Sequence, residues 1–174
     1  EFRKDHGYDL EGEALARLCF NRDDSAAARF DFWFTVLRIY NENFLRPLHD
    51  WCARNDLLFT GHLMENTWPI PRATPNNMAS LRWMQAPGED LLGFQFSATN
   101  LADNGKYLLN LKELSSVVNQ LGRDWSMVET CGARGYHTAY SYFKPCEDFT
   151  LAFGVNVIDP HLSHETLAGT PEPV

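Results

Sequence analysis

Two glutamates, Glu65 and Glu129, each stand directly after a short apolar stretch of the chain. Apolar stretches of this length indicate buried strands, and in parallel β/α proteins the functional groups collect at the carboxyl ends of such strands. Hydrolysis of a glycosidic bond needs two carboxyl groups, one that protonates the leaving oxygen and one that acts on the anomeric carbon or on a water. The pattern therefore predicts Glu65 and Glu129 as a catalytic pair.

The predicted spacing of the two glutamates bears on the stereochemistry of the reaction. One further strand is predicted between theirs, which puts the two backbones roughly 10 Å apart at about 4.8 Å per strand. Carboxyl groups about 5 Å apart act with retention of the anomeric configuration, whereas groups about 6.5 to 9.5 Å apart leave room for a water and act with inversion. The spacing favours an inverting mechanism.

Three more residues near these strand ends are candidates for binding substrate. His62 could hydrogen-bond a sugar hydroxyl or support Glu65, and Trp68 could stack on a sugar ring or belong to the core. Asp90 is placed near the beginning of its predicted strand, so it either stabilises the fold or binds the substrate. We include all three among the predicted substrate-binding residues.

Two histidines, His161 and His164, follow the last predicted strand. They lie close to Asp159 in the sequence, and imidazole and carboxylate groups are common metal ligands. Their spacing differs from that of the helical His-Glu-x-x-His motif, so contacts to sugar hydroxyls are favoured for both. A metal-dependent hydrolase that uses these three residues and His62 is the alternative enzyme class. A carbohydrate-binding domain without catalysis is the third hypothesis.

The elements that must position these side chains alternate between predicted strands and helices. Strands are predicted to start near positions 57, 90, 125 and 155, with helices around 78–85, 111–121 and 140–153 between them. The repeat of roughly 30 to 35 residues is close to that of an eight-stranded β/α barrel. The predicted fold class is α/β, a partial TIM barrel of about four parallel β/α units whose remaining strands lie outside these residues.

A long amphipathic helix is predicted before the first strand. Apolar residues recur at a spacing of three and four from Phe30 to Cys52, and Pro47 is expected to kink or divide the helix. A polar loop is predicted over 97–106, between the second strand and its helix.

The composition of the chain bears on which molecules it can bind. The 174 residues carry a net charge of −8, so the surface should repel nucleic acid phosphates and anionic lipid, and no apolar run approaches the roughly 20 residues of a membrane helix. The four cysteines form no Cys-x-x-Cys pair and are interpreted as buried thiols. The length suits one domain. We therefore expect residues 1–174 to be part of one catalytic domain, with 170–174 as a linker or cut end.

Eight segments of the chain, taken in order and spacing, resemble the α-L-rhamnosidase-type glycoside hydrolases of family 106. They are residues 2–10, 43–52, 59–62, 87–90, 117–122, 129–130, 154–156 and 161–164. The resemblance implies a (β/α)-barrel catalytic domain within a larger multidomain bacterial enzyme that acts on plant or microbial polysaccharide, in the periplasm or outside the cell. It also implies inversion, with Glu65 as general acid and Glu129 as general base, and assistance by calcium, whose ligands do not map onto these residues.

Overall fold

The computed structural model describes residues 1–19, 25–63, 74–91, 101–132 and 139–161. An amino-terminal helical part precedes a part in which strands and helices alternate. None of the helices in these ranges is long and apolar enough to cross a membrane. The helices are α1 (Phe2–His6), α2 (Leu15–Cys19), α3 (Ser25–Tyr40), α4 (Arg46–Arg54), α5 (Asn77–Leu81), α6 (Leu101–Leu121) and α7 (Tyr140–Leu151), with π-helical turns at Leu10–Ala14 and Asn41–Leu45.

The strands β1 (Thr60–Gly61), β2 (Ala86–Leu91), β3 (Met127–Thr130) and β4 (Val157–Pro160) form one sheet in the order of the chain. Every neighbouring pair is parallel. A helix connects each strand to the next, as a parallel crossover requires. The predicted α/β class with four parallel strands is therefore confirmed.

The second strand begins earlier than the sequence indicates. The helix predicted around 78–85 is expected to end before a strand that starts near Asp90, but Pro87 and Gly88 already lie inside β2, which is buried along its whole length. Asp90 therefore lies near the carboxyl end of β2, and the prediction that it stands near the beginning is wrong. The error arises because proline and glycine usually interrupt regular structure, whereas here Pro87 pairs only with the two-residue edge strand β1.

The third and fourth strands begin two residues later than predicted, at Met127 and Val157. The residues just before them are joined by side-chain hydrogen bonds of Asn156, and the N–H of Val157 in β4 donates to the carbonyl of Ser126 at 3.0 Å. Asn156 accepts a hydrogen bond from the backbone N–H of Ser126 at 2.9 Å through Oδ1, and donates one through Nδ2 to the carbonyl of Asp124 at 2.7 Å. These bonds fix the two strands side by side before their ladder starts.

The predicted long helix is present as α3 and α4, joined by the π-helical turn Asn41–Leu45. Pro47 follows this turn directly, within the first turn of α4. A proline lacks the N–H that an α-helix needs and collides with the preceding turn, so a wider π turn before it relieves the misfit. Pro47 thus divides the helix, as the sequence predicts.

The apolar face predicted for this helix is only partly buried. Phe30, Phe34 and Phe44 are exposed, whereas the residues that are buried in α3 are Ser25, Ala28 and Thr35. The small buried side chains let the helix approach its neighbours closely. The outward phenylalanines contact each other instead, and the ring centroids of Phe30 and Phe34 are 6.0 Å apart. The loop predicted over 97–106 is also wrong from Leu101 onward, where α6 begins.

The main core lies between one face of the sheet and the helices α6 and α7. It contains Leu91 and Val128 from the strands, Leu111 and Leu114 from α6, and Cys146 from α7. Cys131 is buried as well, but Cys19 is exposed, so the prediction of buried thiols fails for that residue. Because successive residues of a strand point to opposite faces, the neighbours of Leu91 and Val128 in sequence, Asp90 and Glu129, point away from this core.

Close packing of three strands depends on Gly88. A Cβ atom at this position would lie 2.7 Å from the carbonyl oxygen of Gly61 and 2.9 Å from Cε of Met127. The first of these neighbours is backbone and cannot turn aside. Glycine is therefore needed where β1 and β3 both approach β2.

We expect Gly88→Ala to lower the free energy of unfolding by roughly 1 to 3 kcal/mol, because the added methyl group forces β1 away from β2. Gly105→Ala is the matched control, since a Cβ at Gly105 in α6 meets nothing within 4 Å. That change should stabilise the protein by about 0.5 to 1 kcal/mol through helix propensity. Chemical denaturation measures both values, and equal effects of the two substitutions would contradict this account of the packing.

Candidate functional site

Three carboxylates lie side by side on the face of the sheet that is turned away from the helices. Asp90 of β2 pairs in register with Glu129 of β3, and Glu129 pairs with Asp159 of β4. Residues that pair across a parallel sheet point to the same face, and adjacent strands are about 4.8 Å apart. All three groups are near the carboxyl ends of their strands, where parallel β/α proteins place their sites.

Glu129 lies between two histidines. His62, which follows β1, has its Nε2 atom 3.0 Å from Oε2 of Glu129. His161, which follows β4, has its Nε2 atom 3.9 Å from Oε1 of the same carboxylate. The structure thus brings together three side chains that the sequence predicts as site residues. Both histidines face the carboxylate of Glu129.

His62 and Glu129 meet across the intervening strand β2. The register of β1 on β2, continued by one residue, puts His62 level with Gly88. The side chain of Met127 reaches across β2 at this level, because its Sδ lies 3.7 Å from Oγ1 of Thr60 on β1 and its Cε would lie 2.9 Å from a Cβ at residue 88. A glycine inside the central strand, two residues before Asp90, is the sequence signal for this close approach of β1 and β3.

The surroundings of His62 determine how many protons it shares with Glu129. Its Nδ1 atom lies 2.9 Å from the carbonyl oxygen of Leu63, which can only accept a hydrogen bond, so Nδ1 carries a proton. A lone pair on Nε2 facing a carboxylate oxygen at 3.0 Å would be repelled, so a second proton lies between these two atoms. The pair therefore holds two protons, as an imidazolium beside an ionised carboxylate or as a neutral imidazole beside a protonated one.

His161 is held differently. Its backbone N–H donates to the carbonyl of Thr130 at 2.8 Å, which joins the end of β4 to the end of β3. Within the described residues no partner reaches its buried Nδ1 atom. Since a buried N–H without an acceptor is more costly than a lone pair without a donor, we assign the proton of the neutral ring to Nε2, the atom that faces Glu129.

The three side chains are shielded but still reachable from solvent. Their exposed fractions are 31% for His62, 23% for Glu129 and 19% for His161. The chain turns sharply just beyond Glu129, where Cys131 has a φ of 64°, a value that costs a non-glycine residue roughly 1 to 2 kcal/mol. Strain of this kind is concentrated at functional sites.

The two aspartates beside Glu129 differ in their exposure. Asp90 is buried, whereas Asp159 is exposed to solvent. Asp90, predicted as a substrate-binding residue, points to the same face of the sheet as Glu129 but is buried there, and Asp159 lies on the other side of Glu129. Three other predicted residues, Glu65, Trp68 and His164, lie outside the described residues.

The described side chains do not fit a calcium ion. Calcium is bound by six to eight oxygen atoms, but both oxygens of Glu129 face imidazole nitrogens. In the ranges that the structure describes, no group of three or more histidine, cysteine, aspartate or glutamate side chains is arranged to hold a metal ion.

Comparisons with protein-family models, curated proteins and solved structures find no match to this chain. The function has to be argued from the site itself.

The proton count at His62 can be measured by nitrogen NMR of the histidine rings. With Glu129 ionised, we expect both nitrogens of His62 to be protonated at neutral pH. In Glu129→Gln the amide can donate to Nε2, so His62 should become neutral with its proton on Nδ1, where the carbonyl of Leu63 accepts it. His49, which faces Asp50 on α4, is the internal control and should not change. A ring of His62 that is the same in both proteins would contradict the shared proton.

Proposed function

We propose that this protein is a glycoside hydrolase in which Glu129 is one of two catalytic carboxylates. The observation that supports the proposal is the position of Glu129 at the carboxyl edge of a parallel sheet, with an imidazole facing each of its oxygens. Glycosidic hydrolysis is a proton-transfer reaction, and a carboxylate fixed beside a proton-carrying partner is suited to it.

We further propose that the four strands are half of an eight-stranded β/α barrel. In support, the strands follow one another in the order of the chain, all are parallel, and each is connected to the next by a helix. Four such strands are half of the eight that close a TIM barrel. In this proposal the remaining strands belong to further residues of a larger, multidomain protein, and the face that bears Asp90, Glu129 and Asp159 lines the barrel mouth.

The second carboxylate of the proposed mechanism is Glu65, which follows β1 in the sequence. Glu65 protonates the oxygen of the leaving group, and Glu129 takes a proton from a water that attacks the anomeric carbon from the opposite side. The anomeric configuration is then inverted. The resemblance to α-L-rhamnosidases suggests α-L-rhamnosides of plant or microbial polysaccharide as substrates.

Metal-dependent hydrolysis by His62, Asp159, His161 and His164 is the second candidate function. A bound metal needs the ligand lone pairs directed at one point. Among the described residues, the Nε2 atoms of His62 and His161 instead face the two oxygens of Glu129, which favours chemistry at the carboxylate.

We expect Glu129→Gln and Glu65→Gln, each made in the full-length protein, to lower kcat on aryl α-L-rhamnosides by about 10² to 10⁴-fold. The reason is that an amide can neither accept nor donate the transferred proton. The initial rate of phenol release measures the effect. Asp148→Asn is the matched control, because Asp148 forms an exposed ion pair with Lys144 on α7, and it should leave kcat within a few-fold of the wild type.

Two results would overturn parts of the proposal. If a glutamate variant keeps its rate, the role given to that residue is wrong. If the full-length protein binds the sugar without cleaving it, as isothermal calorimetry would detect, the protein is a carbohydrate-binding domain and no glycosidase.

A further inference from the structure

The two oxygens of Glu129 have different surroundings. Oε2 lies 3.0 Å from Nε2 of His62. Oε1 is 3.9 Å from Nε2 of His161, a distance too long for a hydrogen bond. One oxygen is thus occupied by a protein group, while the other remains accessible to a small molecule.

The separation between Oε1 and His161 fits a single water that contacts both atoms. A polar pair just beyond hydrogen-bonding distance is commonly bridged in this way, and both side chains are partly accessible to solvent. With its proton on Nε2, His161 donates to the water oxygen. The water in turn donates to Oε1, which can only accept.

We infer that His161 and Oε1 of Glu129 hold the water that attacks the substrate, and that His62 fixes the orientation of the carboxylate. This inference rests on the proposed hydrolysis and adds a role that the sequence did not predict, since His161 was expected to contact sugar hydroxyls and His62 either to do the same or to support Glu65. His62 acts through Glu129 and is a positioning residue. His161 contacts the reacting water itself.

The proton and electron balance of the step is complete. The water oxygen forms a bond to the anomeric carbon, and one of its O–H bonds breaks as the proton moves to Oε1 of Glu129. The bond from the anomeric carbon to the glycosidic oxygen breaks, and its electron pair stays on that oxygen, which takes the proton of Glu65. Exchange with solvent then removes the proton from Glu129 and restores the proton of Glu65.

Two acidic side chains flank Glu129, Asp90 on β2 and Asp159 on β4, each in register one strand away. The imidazole of His62 lies 3.0 Å from Oε2 of Glu129. Because this contact occupies Oε2, Oε1 is the oxygen that accepts a proton from water.

The test separates the water side of the reaction from the leaving-group side. Glycosyl fluorides release fluoride without needing an acid, whereas aryl and alkyl glycosides depend on one. Loss of Glu65 should therefore be much less harmful on the fluoride than on the aryl glycoside. Loss of His161 should be equally harmful on both substrates, because the water is needed in either case.

We expect His161→Phe to lower kcat on both substrates by about 10- to 100-fold with KM little changed, because a misplaced nucleophile costs rate more than affinity. Azide, which attacks without giving up a proton, should restore turnover and yield the glycosyl azide. His161→Gln, which keeps an N–H donor, should retain more activity than His161→Phe. His49→Gln on α4 is the control and should behave as the wild type.

The outcomes distinguish failure of this inference from failure of the proposed function. If neither the aryl glycoside nor the fluoride is cleaved by the unaltered protein, the hydrolase proposal is wrong. If both are cleaved and His161→Phe raises only KM, His161 is a substrate contact and the inference is overturned. Unfolding curves for both His161 variants show whether a lower rate reflects loss of the fold. If His161→Phe does not fold, the rate of His161→Gln relative to the wild type tests the role of His161.

Discussion

The contact between His62 and Glu129 joins the first and third strands of the sheet across the second, and the arrangement of the site depends on it. The central strand carries glycine at the level of His62, where the side chain of Met127 reaches from β3 toward β1. The same glycine lets the backbone of β1 approach β2 within the distance that a Cβ would forbid. Close packing of the three strands, which brings His62 and Glu129 together, therefore requires glycine at residue 88.

The two faces of this sheet differ in character. One face carries Leu91 and Val128 into a core against α6 and α7, with the buried Glu89 on the same face. The other carries Asp90, Glu129 and Asp159 in a row, which is unfavourable for like charges unless partners or solvent compensate. The histidines provide the compensation for Glu129, and solvent provides it for the exposed Asp159. Neighbouring carboxylates repel one another, so their presence near the carboxyl ends of three strands is typical of a functional site and not of a structural surface.

Much of the architecture follows from periodicity in the sequence. The number of strands, their parallel direction and the division of the long helix at Pro47 were all predicted correctly, because apolar runs and turn residues carry that information locally. The start of β2 was not, since Pro87 and Gly88 resemble a break when read alone. Only the close approach of a neighbouring strand explains why a glycine stands there.

The candidate site was predicted in part. Glu129, His62 and His161 were identified because polar residues follow apolar runs, and the structure brings these three together. Their pairing could not be predicted, since it depends on how far side chains extend across a strand and on which ring nitrogen bears a proton. The position of Asp90 near the carboxyl end of β2 was also not predicted. The predicted strand starts too late in the sequence, which puts Asp90 near its beginning.

The central claim is that Glu129 activates water for a single displacement at an anomeric carbon. The most direct measurement is the configuration of the sugar first released from an aryl α-L-rhamnoside by the full-length protein, followed by proton NMR before the anomers equilibrate. The account predicts that β-L-rhamnose appears first. Initial release of the α anomer would mean that a carboxylate attacks the sugar itself, and it would contradict the role of Glu129 as the base.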